Sequence, residues 1–109
     1  MSTLSTHVLD TALGQPAGGI RVTLSSGDAI IGEGTTDADG RVKELQARAG
    51  ALAPGEYRLR FETGDYFEKS KRASFYRDIT IDFVVRASGE HYHVPLLLSP
   101  FGYSTYRGS

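Results

Sequence analysis

Short segments of alternating apolar and polar residues, separated by turn formers, are the feature that most restricts how this chain can fold. Residues 20–24, 57–62 and 79–83 alternate with a period of two, and residues 5–10 and 90–96 are rich in β-branched and aromatic side chains. A period of two is typical of a half-buried β-strand. Because 13 glycines and 4 prolines interrupt the chain, long helices have little room. The pattern predicts about eight strands.

Turn chemistry supports the same count. Turn-forming residues separate the segments at 14–16, 25–28, 37–40, 54–55 and 88–89. Glycine supplies positive φ at such places, proline fixes φ, and Asp and Ser bond to nearby backbone.

One segment, residues 64–71, breaks the alternation. Asp65 is followed three residues later by Glu68, a spacing typical of a helix N-terminus, and it predicts a helix of about two turns capped by Asp65.

The strands and this helix together predict an all-β fold, a β-sandwich with one short helix. At 109 residues, the chain has the length of one domain, and we assign residues 1–109 to it.

Charge and composition exclude several classes of function. Lys and Arg total 12 against 13 Asp and Glu, so the chain lacks the positive field that nucleic acids or anionic membranes attract. The absence of cysteine removes disulfides, thiolate nucleophiles and cysteine-based zinc sites. No apolar run approaches the ~18 residues that span a bilayer. No leader is visible, so we expect a cytoplasmic protein, although a leader removed and replaced by Met1 would leave the same sequence.

The histidines are the first candidates for chemistry. His91 and His93 lie two apart on one predicted strand, so they share a face. Such a pair is either an ordinary solvated surface or half of a metal site, to which His7 could add a third ligand. A metal site needs further ligands, and no carboxylate follows from the sequence around His7. We therefore expect no metal.

Arg41 and the last residues are the second group of candidates. Arg41 follows a turn at residues 37–40, where an arginine is most often an ordinary surface residue. The tail is less ordinary, because Phe101, Tyr103 and Tyr106 stand where chains usually end in small polar residues. We expect the tail to be docked.

Motifs at both ends and in the middle of the chain together resemble those of a known family. Residues 7–16 present a basic residue, a β-branched residue, Leu and an acid, followed by Gly-x-Pro. Residues 91–109 run from His-Tyr-His-Val-Pro to Tyr-Arg-Gly-Ser, and residues 36–41 and 63–67 fit between. Over nearly its whole length the chain resembles the transthyretin family, and its ending resembles the hydrolase branch of that family.

The resemblance implies an architecture and an assembly. It implies two four-stranded sheets with one short helix, and a homotetramer built as a dimer of dimers with active sites at the subunit interface. Exposed edge strands of a sandwich are usually paired or covered, which agrees with such an assembly. The departures are small: Gly102 stands where many members have Ser, and Arg77 where Pro is common.

The resemblance also implies a reaction on a small molecule. In the hydrolase branch, water opens the ring amide of 5-hydroxyisourate to give 2-oxo-4-hydroxy-4-carboxy-5-ureidoimidazoline, without a cofactor. Histidine titrates near neutral pH, so His7 is expected to activate water with His93 as its partner. Arg41 is expected to orient the substrate and to stabilise negative charge.

Other residues complete the implied site. Tyr106 and Ser109 are expected to bind substrate, whereas the role of His91 stays open. Hormone-carrying members of the family have Lys, Glu and Thr at positions 7, 41 and 93. A small-molecule carrier without catalysis is therefore the alternative function, and a β-sandwich without a ligand is the third.

Overall fold

Two packed β-sheets and a short α-helix make up the computed structural model of this protein, which describes residues 2–86 and 89–109. The strands are β1 (Thr3–Asp10), β2 (Gln15–Pro16), β3 (Arg21–Ser26), β4 (Ala29–Thr35), β5 (Arg41–Val42), β6 (Gly55–Phe61), β7 (Ile79–Val85), β8 (His91–Ser99) and β9 (Gly102–Thr105). The helix is α1 (Thr63–Lys69), and a 3-10 turn covers Ala47–Ala49.

One sheet has five strands and the other has four. The first runs β2-β1-β8-β9 with β5 also paired to β1, and the second runs β4-β3-β6-β7. The predicted sandwich with one short helix is confirmed. The five-stranded sheet exceeds the expected four strands because β2 and β5 pair with different parts of β1. Each has only two residues, too few for an alternation to be visible in the sequence.

The core lies between the sheets and is built from alternate positions of each strand. In β1 the residues at every second position from Leu4 to Asp10 are buried, and those between them are partly or fully exposed. Leu96 and Leu98 of β8 and Leu59 and Phe61 of β6 are also buried. Full burial of one such side chain contributes about 1.5–3 kcal/mol. Strand alternation therefore leaves the opposite face of the five-stranded sheet available for other roles.

The helix begins three residues earlier than the sequence indicates. Asp65 was expected to cap it, but the N-cap is Glu62 and Asp65 lies inside the first turn, so that expectation is wrong. Thr63 is fully buried and donates a hydrogen bond from Oγ1 to the Arg77 carbonyl oxygen, 3.3 Å away. This tertiary contact sets the helix start more strongly than a local cap does. Within the described residues no helix is long and apolar enough to span a membrane.

Glycine with positive φ appears at the predicted turns. Gly14, Gly27 and Gly40 all have φ between 58° and 75°. Of the turn predicted at residues 88–89, Gly89 also has positive φ, whereas Ser88 lies outside the described residues. Gly40 has a second requirement, because its carbonyl accepts the Val8 N–H at 2.7 Å and a Cβ there would overlap the Val8 carbonyl oxygen.

A buried ion pair joins β1 to the segment that follows α1. Asp10 has no exposed surface, and its Oδ2 accepts hydrogen bonds from Arg72 at 2.6 Å and from the Tyr66 hydroxyl at 2.7 Å. Burial alone would raise the pKa of the Asp10 carboxyl. The hydrogen bonds from Arg72, Tyr66 and the Leu13 N–H outweigh burial and hold that pKa below its ordinary value.

This pair yields a prediction about stability. Replacing Arg72 by Leu leaves a buried carboxylate without its cation, so the free energy of unfolding should fall by about 3 kcal/mol. Urea denaturation near neutral pH measures this change. The matched control is Arg58→Leu, which breaks the pair with Asp82 whose side chains are 58% and 68% exposed. That control should leave the free energy of unfolding nearly unchanged, because both partners are exposed to solvent.

The same network predicts a pH dependence. Because the pKa of Asp10 is lowered in the folded state, its stabilisation is present above the ordinary carboxyl pKa and is lost as the pH falls through the folded value. Stability should therefore decline less steeply with acidification in Asp10→Asn than in the parent protein. Equal slopes in thermal melts would contradict a charged Asp10 in the native state.

Candidate active site

All three histidines lie on the outer face of the five-stranded sheet. β1 and β8 pair in parallel, with Thr3 opposite His91, Ser5 opposite His93 and His7 opposite Pro95. Their neighbours Leu4 and Tyr92 point to the core, so the alternate residues point away from it. The shared face expected for His91 and His93 is confirmed, because both rings contact Ser5.

Hydroxyl groups connect the two histidines of β8. Ser5 Oγ lies 2.8 Å from His91 Nε2 and 2.7 Å from His93 Nδ1. Thr3 Oγ1 lies 2.6 Å from the other ring nitrogen of His91. Sequence reasoning missed Thr3 and Ser5 as site residues. Their proximity depends on the parallel register between residues far apart in the chain, and only the period-two spacing of Ser5 and His7 hinted at it.

Arg41 reaches this face through a tight turn. The Asp37 carboxylate accepts the backbone N–H groups of Asp39 at 2.9 Å and of Arg41 at 3.0 Å. These bonds hold the pKa of Asp37 below its ordinary value, and the bond from the Arg41 N–H has the largest effect. β5 then pairs Arg41 with His7. Among the described residues, no carboxylate lies within 4 Å of the Arg41 guanidinium, so its charge is available to an anionic ligand.

His93 is the histidine whose electrostatic setting is most clearly altered. Its partial burial lowers the pKa of the imidazole, and the positive charges of Arg41, His7 and His91 lower it further. A lowered pKa keeps the ring neutral at neutral pH. A neutral imidazole has one nitrogen with a lone pair, so His93 can accept a proton.

The tail is docked beside His93, although the aromatic residues on which this expectation rested, Phe101, Tyr103 and Tyr106, are exposed. Thr105 Oγ1 donates to the Pro95 carbonyl at 2.6 Å, and the Gly108 N–H donates to the His93 carbonyl at 2.7 Å. A Cβ on Gly108 would lie 2.6 Å from His93 Cδ2, so glycine is required for this close approach. Arg107 donates to Glu90 at 2.9 Å.

Two cavities adjoin this cluster. A depression of about 500 Å³ on the sheet face is lined by residues that include Ser5, Arg41 and His91. A cleft of about 400 Å³ at the sandwich edge is lined in part by His93 and Tyr106. His93 therefore borders the cleft, while its Nδ1 is bonded to a residue of the depression.

The structure gathers some of the candidate residues and separates others. His7, Arg41, His91 and His93 lie on one face, and their charges interact at His93. Tyr106 is exposed and reaches the group only through the cleft that it shares with His93. Ser109 is exposed. Within residues 2–86 and 89–109, no three His, Asp or Glu side chains are grouped closely enough to hold a metal ion.

Known proteins that resemble this chain come from one family. Residues 4–108 match the family model described as HIUase/Transthyretin family. A Salmonella dublin protein named 5-hydroxyisourate hydrolase is 49% identical over 110 residues, or 97% of this chain and 80% of that protein. The solved Klebsiella pneumoniae 5-hydroxyisourate hydrolase superposes with a TM-score of 0.91 at 43% identity, covering 100% of this chain and 94% of the other.

A solved transthyretin is also similar. Sea bream transthyretin in complex with thyroxine gives a TM-score of 0.88 at 31% identity. The superposition covers 97% of this chain and 94% of that one. The shared fold is thus found both in a protein named as an enzyme and in one solved with a bound hormone.

The electrostatic arrangement predicts the effect of removing one charge. Because Arg41 lowers the pKa of His93, Arg41→Gln should raise that pKa toward the ordinary histidine value. Titration of the His93 ring protons by NMR measures the shift. Arg48→Gln, which removes another exposed arginine charge, is the control and should leave the His93 titration unchanged. A His93 pKa that Arg41→Gln leaves unaltered would contradict the proposed charge interaction.

The docked tail predicts a second effect. Gly108→Ala places a methyl group against the His93 ring, so the bond from residue 108 to the His93 carbonyl should break and its amide should exchange about tenfold faster or more. Amide hydrogen exchange measures this change. Gly102→Ala is the control, because its Cβ would meet Ser99 Oγ at an ordinary 3.8 Å. Unchanged exchange at position 108 would show that the tail tolerates the methyl group.

Proposed function

The chain belongs to the HIUase/Transthyretin family, and we propose that it catalyses the hydrolysis of 5-hydroxyisourate to 2-oxo-4-hydroxy-4-carboxy-5-ureidoimidazoline. The observation that carries the proposal is the group formed by His7, Arg41 and His93 on one sheet face. It combines a base whose pKa is lowered with a cation that forms no ion pair with a carboxylate in the described residues. The names of relatives 43–49% identical to this chain support the same substrate.

His93 is the proposed base. Water is a weak nucleophile at neutral pH, and a neutral imidazole can remove its proton as the oxygen attacks the ring carbonyl. The lowered pKa of His93 supports this role. The sequence led us to expect His7 as the base and His93 as its partner, and we now propose the reverse assignment. When the C–N bond breaks, a ring N–H group of His7 can supply a proton to the leaving nitrogen.

Arg41 is the proposed electrostatic group. The attack places negative charge on the former carbonyl oxygen, and the guanidinium charge of Arg41 lowers the energy of that oxyanion. Pairing of β5 with β1 holds Arg41 opposite His7, so the cation and the proton donor lie on neighbouring strands. Residues of the same depression can orient a substrate made largely of C=O and N–H groups.

One copy of the chain leaves the proposed site open to solvent. Arg41 and His91 are exposed, and an open sheet face does not exclude water from a reaction. We propose that a second copy covers the face in a homotetramer, a dimer of dimers. Tyr106 and Ser109 are then the proposed substrate contacts from the tail. In this proposal residues 1–109 are one domain that acts in the cytoplasm without a cofactor.

The second candidate is a carrier that binds a small molecule without turnover. Its support is the similarity to sea bream transthyretin, which was solved with thyroxine. The two functions differ in one measurable respect. A carrier leaves the rate of decay of 5-hydroxyisourate unchanged, whereas a hydrolase increases it in proportion to enzyme concentration.

The test follows the ultraviolet absorbance of freshly generated 5-hydroxyisourate. His7→Asn, Arg41→Ala and His93→Asn should each lower kcat/KM by ~100-fold or more, because each removes an acid–base or charge-stabilising group. Arg48→Ala, an exposed arginine outside the site, should retain the parent rate. A chelator should leave the activity unchanged. A variant with a near-parental rate would exclude its residue from the mechanism.

A further inference from the structure

A continuous line of hydrogen-bonding groups leads from His93 to an exposed histidine. His93 Nδ1, Ser5 Oγ and His91 Nε2 are joined by distances of 2.7 and 2.8 Å. His91 Nδ1 lies 2.6 Å from Thr3 Oγ1. His93 is half-buried, while His91 and Thr3 are exposed. The line thus joins the proposed base to a ring in contact with solvent.

The chemistry of these groups permits two directions of hydrogen bonding. A serine hydroxyl has one proton, so Ser5 donates to one ring nitrogen and accepts from the other when both rings are neutral. With His93 Nδ1–H donating to Ser5 and Ser5 donating to His91, the Nε2 lone pair of His93 is available to water. Reversal of both bonds leaves a proton on that Nε2. The state of His91 therefore determines whether His93 can act as a base.

We propose that Ser5 and His91 form a proton relay for His93, a role that rests on the hydrolysis proposed above. As water attacks, one of its protons binds His93 Nε2. His93 Nδ1 releases its proton to Ser5 Oγ, and Ser5 passes its own hydroxyl proton to His91 Nε2. The relay ends with neutral His93, intact Ser5 and His91 as a cation. Solvent then removes the extra proton from exposed His91. Ser5 is a positioning residue, because it acts through His93.

The charges around His93 favour transfer of a proton away from its ring. His7 faces it from β1, Arg41 from β5 and His91 from its own strand, and all three oppose a positive charge on its ring. From the tail, Tyr106 and Arg107 line the same cleft, and Arg107 is paired with Glu90. A cation is better solvated on exposed His91 than on half-buried His93. Moving the charge outward leaves the ring of His93 neutral.

Kinetics of matched variants test the role of the hydroxyl. Ser5→Ala should lower kcat about tenfold with KM within about twofold, a smaller loss than removal of the base itself. Ser5→Thr retains the hydroxyl and should restore kcat to within about threefold of the parent. Ser25→Ala makes the same change on β3, in the other sheet, and should have no effect. A Ser5→Ala variant with parental kcat, or a Thr variant as slow as Ala, would overturn the relay.

An NMR measurement tests the relay without any substrate. His91→Gln should change the ring ¹⁵N shifts of His93, and this change should vanish when Ser5 is already Ala, because the coupling passes through the hydroxyl. The spectra are recorded at about pH 9, well above the ordinary pKa of a histidine side chain, so that charge effects are small. An equal change in both backgrounds would overturn the proposal.

The two measurements separate the relay from the reaction. If the parent protein fails to hydrolyse 5-hydroxyisourate while the Ser5-dependent coupling is present, the proposed function is wrong and the hydrogen-bonded line remains. If hydrolysis is rapid and the coupling is absent, the function stands and the relay is wrong.

Discussion

The parallel pairing of β1 with β8 is the contact on which the rest of the structure depends. It joins Thr3–Asp10 to His91–Ser99, segments at opposite ends of the chain, through eight residue pairs. Parallel pairing requires a long crossover, and the other sheet and α1 occupy that interval. The buried positions of both strands pack into the core, and the alternate positions place hydroxyl and imidazole groups side by side. The pairing that forms the sheet therefore also brings the side chains of the candidate site together.

The site combines like charges for a chemical purpose. Arg41 and the histidines around His93 disfavour a second cation there, which keeps the His93 imidazole neutral. In the proposed hydrolysis, the same positive field would attract an anionic substrate and stabilise an oxyanion. Repulsion within the cluster costs stability, and core burial on the opposite face of the strands offsets that cost. The carboxylate of Asp37 attracts the charge of Arg41, but it accepts hydrogen bonds from turn N–H groups and forms no ion pair with Arg41 in the described part of the chain.

Local patterns in the sequence predicted five of the strands, β1, β3, β6, β7 and β8, and the shared face of His91 and His93, because alternation depends only on neighbouring residues. The start of α1 was missed, since buried Thr63 and its bond to the Arg77 carbonyl form a tertiary contact. Ser5 was missed for the same reason: its position beside His93 depends on register between strands 88 residues apart. The resemblance to a family supplied what such patterns could not, namely the grouping of His7 with Arg41 and with His93.

Register connects stability to chemistry more tightly than any single contact does. A slip of one residue between β1 and β8 would turn one strand over relative to its partner. Leu4 and Val8 would leave the core and His7 would enter it, at a cost of several buried side chains and a buried imidazole. The core therefore selects the arrangement in which Ser5 lies opposite His93. Because apolar burial enforces that register, the hydroxyl and the two imidazoles are held at hydrogen-bonding distance before any substrate binds, which is the preorganisation that proton transfer requires.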